Sequence, residues 1–200
     1  MSKTITGLFI ICLLVALGCA EKQEQEALTP IQLTVSVSGG LIEGEVTETG
    51  LRTFMSVPYA APPVGALRWA PTASVIPWDG VLPAKEAGPA CMQPEGLGGD
   101  FYGDTGIDMD EDCLLLNVWT RAENEEDQLP VMVWIHGGAL VTGQGSTYPG
   151  DLLTSKGVVL VTVNYRLGRF GFFAHPELTD ENPNKVSGNQ GLHDQIASLK

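Results

Sequence analysis

Directly after the apolar run Val131-Met132-Val133-Trp134-Ile135 the chain reads His136-Gly137-Gly138-Ala139. At Gly137 and Gly138 no Cβ obstructs the backbone, so the main chain can adopt torsions barred to other residues and turn its N–H groups toward a ligand. Donors held this way can stabilise a developing negative charge. A tight strand-to-loop turn with no ligand would use the same glycines, so the surrounding sequence has to distinguish the two readings.

Holding such a loop in place requires a rigid sheet. The five apolar residues Val131 to Ile135 predict a strand buried on both faces. Leu114 to Trp119 predicts another, and the acidic turn Arg121 to Gln128 joins the two, which places them side by side. Val158 to Val163 predicts a further interior strand, closed by Asn164-Tyr165-Arg166. Between these strands, Tyr148 to Lys156 fits a short crossover helix ending at Gly157. Gly191 to Lys200 predicts a helix with Leu192, Ile196 and Leu199 on one face. Near the start, Ile31 to Val37 alternates apolar and polar residues and Gly39-Gly40 interrupts it, the pattern of a half-exposed antiparallel hairpin. Pro58, Pro62, Pro63, Pro71 and Pro77 argue against a helix or central strand in Phe54 to Trp78, which instead predicts an ordered loop presenting Tyr59, Leu67, Trp69 and Trp78 to a core. Gly96 to Gly106 reads as a mobile surface loop. Strands, crossovers and flanking helices together predict an α/β layer fold.

The chain's 200 residues and 44% hydrophobic composition suit one domain with a core. Lys and Arg total 11 against 24 Asp and Glu, a formal charge of -13. A nucleic-acid backbone or an anionic membrane surface would be repelled. Residues 1–20 have the layout of an export signal: Lys3, the apolar stretch Ile5 to Leu17, then Leu17-Gly18-Cys19-Ala20. The stretch is short for a membrane span. Cleavage before Cys19 would give a lipoprotein of the cell envelope, acylated at that cysteine and attached to membrane through it, although Ala16 stands where such signals usually carry Leu. Cleavage after Ala20 would give a soluble secreted or periplasmic protein. Residues 21–30 then form a polar tether ahead of a domain spanning 31–200. Either cut leaves Cys91 and Cys113, which an oxidising compartment would pair. Closing a loop of that length would stabilise the fold by roughly 3 kcal/mol.

Four separated stretches resemble the type-B carboxylesterases, which include the cholinesterases. These are Glu111-Asp112-Cys113-Leu114-Leu115-Leu116-Asn117, His136-Gly137-Gly138-Ala139, Asn164-Tyr165-Arg166-Leu167-Gly168 with Phe170-Gly171-Phe172, and Gly188-Asn189-Gln190-Gly191-Leu192-His193-Asp194-Gln195. With Pro58-Tyr59-Ala60 and Pro62-Pro63-Val64-Gly65, the resemblance covers roughly Val35 to Lys200. It implies the N-terminal part of an α/β-hydrolase fold, with a mixed, mostly parallel central sheet, a small antiparallel hairpin before it, and the remainder missing.

The resemblance also implies acyl transfer on a small-molecule carboxylic ester, with no metal or organic cofactor. A serine attacks the carbonyl, a histidine relays the proton, and Glu or Asp orients the histidine. Gly138 and Ala139 would supply two oxyanion donors, Gly137 would permit the turn, and a third donor would follow the nucleophile. Ala139 stands where many members carry a third glycine. In the family the histidine matching His136 shapes the turn, and His175 and His193 read as surface or supporting residues. The family's G-x-S-x-G turn does not occur in the 200 residues, and Ser146, Ser155, Ser187 and Ser198 lack its strand-to-helix setting. The expectation is therefore an N-terminal portion that is inactive alone, with Val158 to Val163 left as an apolar sheet edge prone to aggregation. A non-catalytic cholinesterase-like binding or adhesion protein is the alternative. Arg166 with Asp194, and Arg68 with Glu111, are implied as partly buried ion pairs. Oligomeric state and ester preference are not legible in the sequence.

Overall fold

The computed structural model describes residues 33–94 and 108–200. The signal at 1–20 with Cys19, the tether at 21–30 and the loop Gly96 to Gly106 lie outside the described residues. Ile31 to Lys200 forms one compact unit.

The strands run in chain order as β1 (Thr34–Val37), β2 (Gly40–Glu43), β3 (Glu45–Val46), β4 (Arg52–Pro58), β5 (Val81–Pro83), β6 (Ala90–Cys91), β7 (Met109–Asp110), β8 (Leu115–Thr120), β9 (Val131–Ile135) and β10 (Val159–Val163). The helices are α1 (Asp151–Thr154), α2 (Gly168–Phe172), α3 (Pro176–Glu181) and α4 (Gln190–Ala197). The expected hairpin is β1 with β2, turning between Val37 and Gly40, and β5 joins β2 in parallel. The main sheet has the order β3-β4-β8-β10-β9. Three of its pairings are antiparallel, and β10 with β9 alone is parallel. The sheet is mixed as expected, but its described part is mostly antiparallel rather than mostly parallel. A parallel pair needs a crossover, and in this sheet only α1, lying between β9 and β10, supplies one.

Three further expectations change. Residues 54–58 lie in β4, inside the main sheet, where the prolines predicted a loop. The strand tolerates Pro58 because that residue is its last, and a bulge at Met55 and Ser56, with Ser56 at φ 59°, accommodates the irregular stretch before it. Strands β8 and β9 share a sheet but are not neighbours, since β10 lies between them. The strand predicted to be buried on both faces, β9, is consequently the sheet's edge among the described residues, with Val131 63% exposed. Strand β10, expected to be that edge, is interior. Continuous apolar sequence marks both strands alike, and only the order distinguishes them.

Apolar packing fills both sides of the sheet. Ile42, Phe54, Val57 and Ala84 pack with Trp78 and Leu116, so the N-terminal hairpin closes one side. Cys91, Cys113, Leu114, Tyr165 and Leu167 pack with Tyr59 and Phe172 beneath the glycine loop. Helix α4 turns Gln190, Gly191 and Asp194 inward, while Leu192 and Ile196, with Leu199 just beyond the helix, are exposed. Gly191 permits this close approach, since a Cβ there would stand 2.6 Å from the Arg166 carbonyl oxygen.

Candidate active site

The glycine loop leaves the end of β9 at His136, whose ring is buried and stacked on Tyr165 with centroids 4.5 Å apart. The Tyr165 hydroxyl donates to the His136 carbonyl at 2.8 Å, and His136 Nδ1 lies 2.8 Å from the Gly137 carbonyl oxygen. A neutral ring carrying its proton on Nδ1 donates there. Burial pushes the His136 pKa below its ordinary value, only partly offset by that hydrogen bond. His136 is thereby committed to the turn, in agreement with the role the resemblance implies.

The chain reverses at Gly138 (φ 110°), Ala139 (φ 55°) and Leu140 (φ 62°). Gly137, to which the sequence reading assigned the turn, has no positive φ, so the reversal belongs to the next three residues. Gly138 must be glycine: a Cβ there would lie 1.9 Å from the Thr142 carbonyl oxygen. Its own carbonyl accepts from the N–H groups of Val141 and Thr142, each at 3.0 Å. The N–H groups of Gly138 and Ala139, in contrast, donate to no acceptor among the described residues. The turn thus absorbs a carbonyl and leaves the N–H groups of Gly137, Gly138, Ala139 and Leu140 without an acceptor among the described residues.

Left-handed torsions at Ala139 and Leu140 cost roughly 1–2 kcal/mol each, so neighbouring structure has to hold the loop. The Gly168 N–H, at the start of α2, donates to the Leu140 carbonyl at 2.7 Å. Gln93 grips the far end with both halves of its amide: Oε1 accepts from the Gly143 N–H at 2.8 Å, and Nε2 donates to the Gly143 carbonyl at 3.0 Å. The same Nε2 donates to the Cys91 carbonyl at 3.1 Å. Cys91 is bonded to Cys113, so the disulfide anchors the residue that holds the loop. The sequence reading missed Gln93. Its position two residues after a paired cysteine was the available signal, but nothing in the sequence showed that Gly143 would face it.

The segment after β10 supports the loop from below. Asn164 Oδ1 accepts from the Gly145 N–H at 2.8 Å, and Asn164 Nδ2 donates to the Pro89 carbonyl at 3.0 Å. The Tyr59 hydroxyl donates to the Asn164 carbonyl at 2.6 Å, and burial raises the Tyr59 pKa well above its ordinary value, keeping this donor protonated. Arg166 and Asp194 meet in a fully buried two-point pair, Nε to Oδ2 and Nη2 to Oδ1, both 2.8 Å. The Arg166 N–H and the Thr72 hydroxyl also donate to Asp194. Arg68 and Glu111 meet too, nearer the surface, with side chains 40% and 20% exposed, so this pair is partly buried. The hydrogen bond to Glu111 raises the Arg68 pKa.

None of the serines set aside on sequence grounds is hydrogen-bonded to an imidazole nitrogen among the described residues. The Ser155 and Ser198 hydroxyls donate to nearby helix carbonyls, and Ser187 bonds with the Thr179 hydroxyl and the His175 backbone. The His175 ring accepts from Glu177 N–H at the start of α3, and the His193 ring lies beside Asn189.

The sequence model of the Carboxylesterase family matches residues 31–200. The chain belongs to the carboxylesterase family. It is 43% identical over 171 residues to a fumonisin B1 esterase from Sphingopyxis macrogoltabida, covering 84% of this chain and 31% of that protein. An acylcarnitine hydrolase from Mus musculus is 39% identical over 202 residues, covering 94% of this chain and 34% of the relative. Among solved structures, a PNB esterase superposes with a TM-score of 0.73 at 41% identity, over 83% of this chain and 33% of the other. A Geobacillus stearothermophilus carboxylesterase superposes with a TM-score of 0.71 at 36% identity, over 84% of this chain and 34% of the other. This carboxylesterase chain therefore spans about a third of the length of these relatives and has the α/β-hydrolase fold of that part.

Proposed function

We propose that this chain is the N-terminal, oxyanion-stabilising portion of a serine carboxylesterase. The observation that carries the reading is the run of N–H donors through the reversal that have no acceptor among the described residues, Gly138 and Ala139 among them, held by a turn that uses up its own carbonyl. In ester hydrolysis a serine hydroxyl adds to the carbonyl carbon, the carbonyl oxygen takes up the negative charge, and collapse expels the alcohol. Water then releases the acid from the acyl-enzyme by the same route. Donors fixed where the charge develops stabilise the intermediate without reorganising. The reading places the nucleophile and its base in sequence beyond the motifs found here, on a sheet continued past the open edge of β9. It also retains export, with Cys19 acylated; incorporation of labelled palmitate that is lost in Cys19→Ala is the expected result.

The test compares the complete protein with its Gly138→Pro variant on 4-nitrophenyl acetate. Proline removes the N–H and cannot adopt φ 110°, so it also opens the reversal, and kcat is expected to fall by at least the roughly 10²–10³-fold typical of one lost oxyanion donor. The 200-residue stretch alone is expected to be inactive. Equal activity in the wild type and the variant would refute the assignment of Gly138. A folded complete protein that hydrolyses no ester would favour the non-catalytic binding role.

A further inference from the structure

A pocket of about 480 Å³ opens beside the glycine loop, lined by Met92, Gln93, Pro94, Val141, Gly168, Arg169 and Phe170. It shares a wall with the candidate oxyanion site. Val141 is two residues beyond Ala139, and Gly168 donates its N–H to Leu140. Of the lining, Met92, Pro94, Val141 and Phe170 offer apolar surface. The two polar side chains differ sharply in what they have left to give. Gln93 has spent both halves of its amide on Gly143 and Cys91. The Arg169 guanidinium has spent nothing on any of the described residues.

The other four described arginines each donate to a carboxylate or a carbonyl: Arg52 to Ala122, Arg68 to Glu111, Arg121 to Thr49, and Arg166 to Asp194. The Arg169 guanidinium has no hydrogen-bond or ion-pair partner among the described residues. Its backbone is nonetheless fixed. The Arg169 carbonyl accepts from Trp69 Nε1 at 2.9 Å, and the turn opening α2 is tied to the glycine loop through Gly168. In a chain of net charge -13 with 24 Asp and Glu, an arginine with no partner among the described residues on the wall of an otherwise apolar pocket is a ready partner for an anion. Guanidinium favours carboxylate over other partners because its fork of donors matches the two oxygens.

We infer that this pocket selects esters carrying a free carboxylate on an apolar body, with Arg169 as the specificity-determining residue. The inference rests on the proposed esterase reading of the glycine loop. The carboxylate pairs with Arg169, the apolar body lies against Met92, Val141 and Phe170, and the ester carbonyl reaches the Gly138 and Ala139 donors. Because Arg169 is exposed, water screens the attraction, so the discrimination is moderate and weakens with salt.

The test uses the complete protein, wild type and Arg169→Gln, with two esters of similar length, 4-nitrophenyl hydrogen succinate and 4-nitrophenyl butyrate. In the variant, kcat/KM for the succinate ester is expected to fall about fivefold, the factor that roughly 1 kcal/mol represents, while that for butyrate is unchanged. The succinate preference of the wild type should also shrink in 0.5 M KCl. An equal fall for both esters, or no change for either, would overturn the inference. Titration calorimetry with hexanoate, which carries a carboxylate on an apolar body but no ester bond, reads the same site without turnover. Binding by the wild type that is lost in Arg169→Gln supports the inference even if no ester is hydrolysed, in which case the hydrolytic reading fails by itself. Equal binding by the two proteins, or none by either, counts against the pocket.

Discussion

Replacing Asp194 by alanine should be among the most damaging single changes in the chain. Asp194 is fully buried and receives four donors: Arg166 Nε and Nη2 at 2.8 Å, the Arg166 N–H at 3.0 Å, and the Thr72 hydroxyl. Alanine strands an arginine whose side chain is 3% exposed, leaving it the Ala70 carbonyl and the Thr72 hydroxyl as acceptors. Breaking a buried pair on one side typically costs about 3–5 kcal/mol, because the surviving charge keeps its desolvation penalty and loses its compensation. The orphaned Arg166 N–H lies within the same cost, since all four bonds form one network. Urea unfolding of the complete protein measures the loss. Replacing both partners, as Arg166→Met with Asp194→Leu, should cost less than Asp194→Ala, since no charge is left unpaired. Unfolding free energy within 1 kcal/mol of wild type in Asp194→Ala, or a double variant weaker than both singles combined, would show that the pair does not hold α4 to the end of β10.

On the proposed esterase reading, the Gln93→Ala variant should lower kcat of the complete protein by about tenfold with little change in KM, because a loop held less firmly misplaces donors used in the transition state; a change in KM alone would contradict the clamp. Reduction of the Cys91–Cys113 bond should cost about 3 kcal/mol of stability and lower kcat in the same direction, and reduced protein with unaltered kinetics would separate the disulfide from the loop. Burial holds the His136 pKa below its ordinary value, so the unfolded chain takes up a proton near pH 6.5 while the folded chain does not. The His136 contribution should be complete above about pH 6.5 and decline as pH falls through that value toward the folded pKa. Unfolding free energies from pH 7.5 to 5.5 for wild type and His136→Gln should show this slope in the wild type alone.

Sequence was enough to place the motifs. Short-range patterns carry that information: glycines after an apolar run, two cysteines downstream of the N-terminal apolar stretch, and Arg166 and Asp194 at the ends of adjoining segments. Each depends on residue type and local spacing, which survive without coordinates. Sheet order is different, because Val131–Ile135 is wholly apolar and Val159–Val163 is apolar but for Thr162, and this pattern cannot say which of them is enclosed. The helix face follows the same rule. Leu192 and Ile196 form a regular apolar stripe, yet α4 turns Asp194 inward, since the charge of Arg166 outweighs what burying that stripe against this part of the fold would contribute.

The chemistry of the glycine loop divides along the same line. From the sequence came the loop's location after a strand and its likeness to an oxyanion loop. Tertiary structure moved the reversal from Gly137 to Gly138, Ala139 and Leu140, and brought Gln93 across fifty residues to both polar groups of Gly143. It also left Arg169 the one unpaired arginine among those described. Hydrogen-bond partners distant in sequence are settled by packing, and packing is a property of the whole fold rather than of any window of residues.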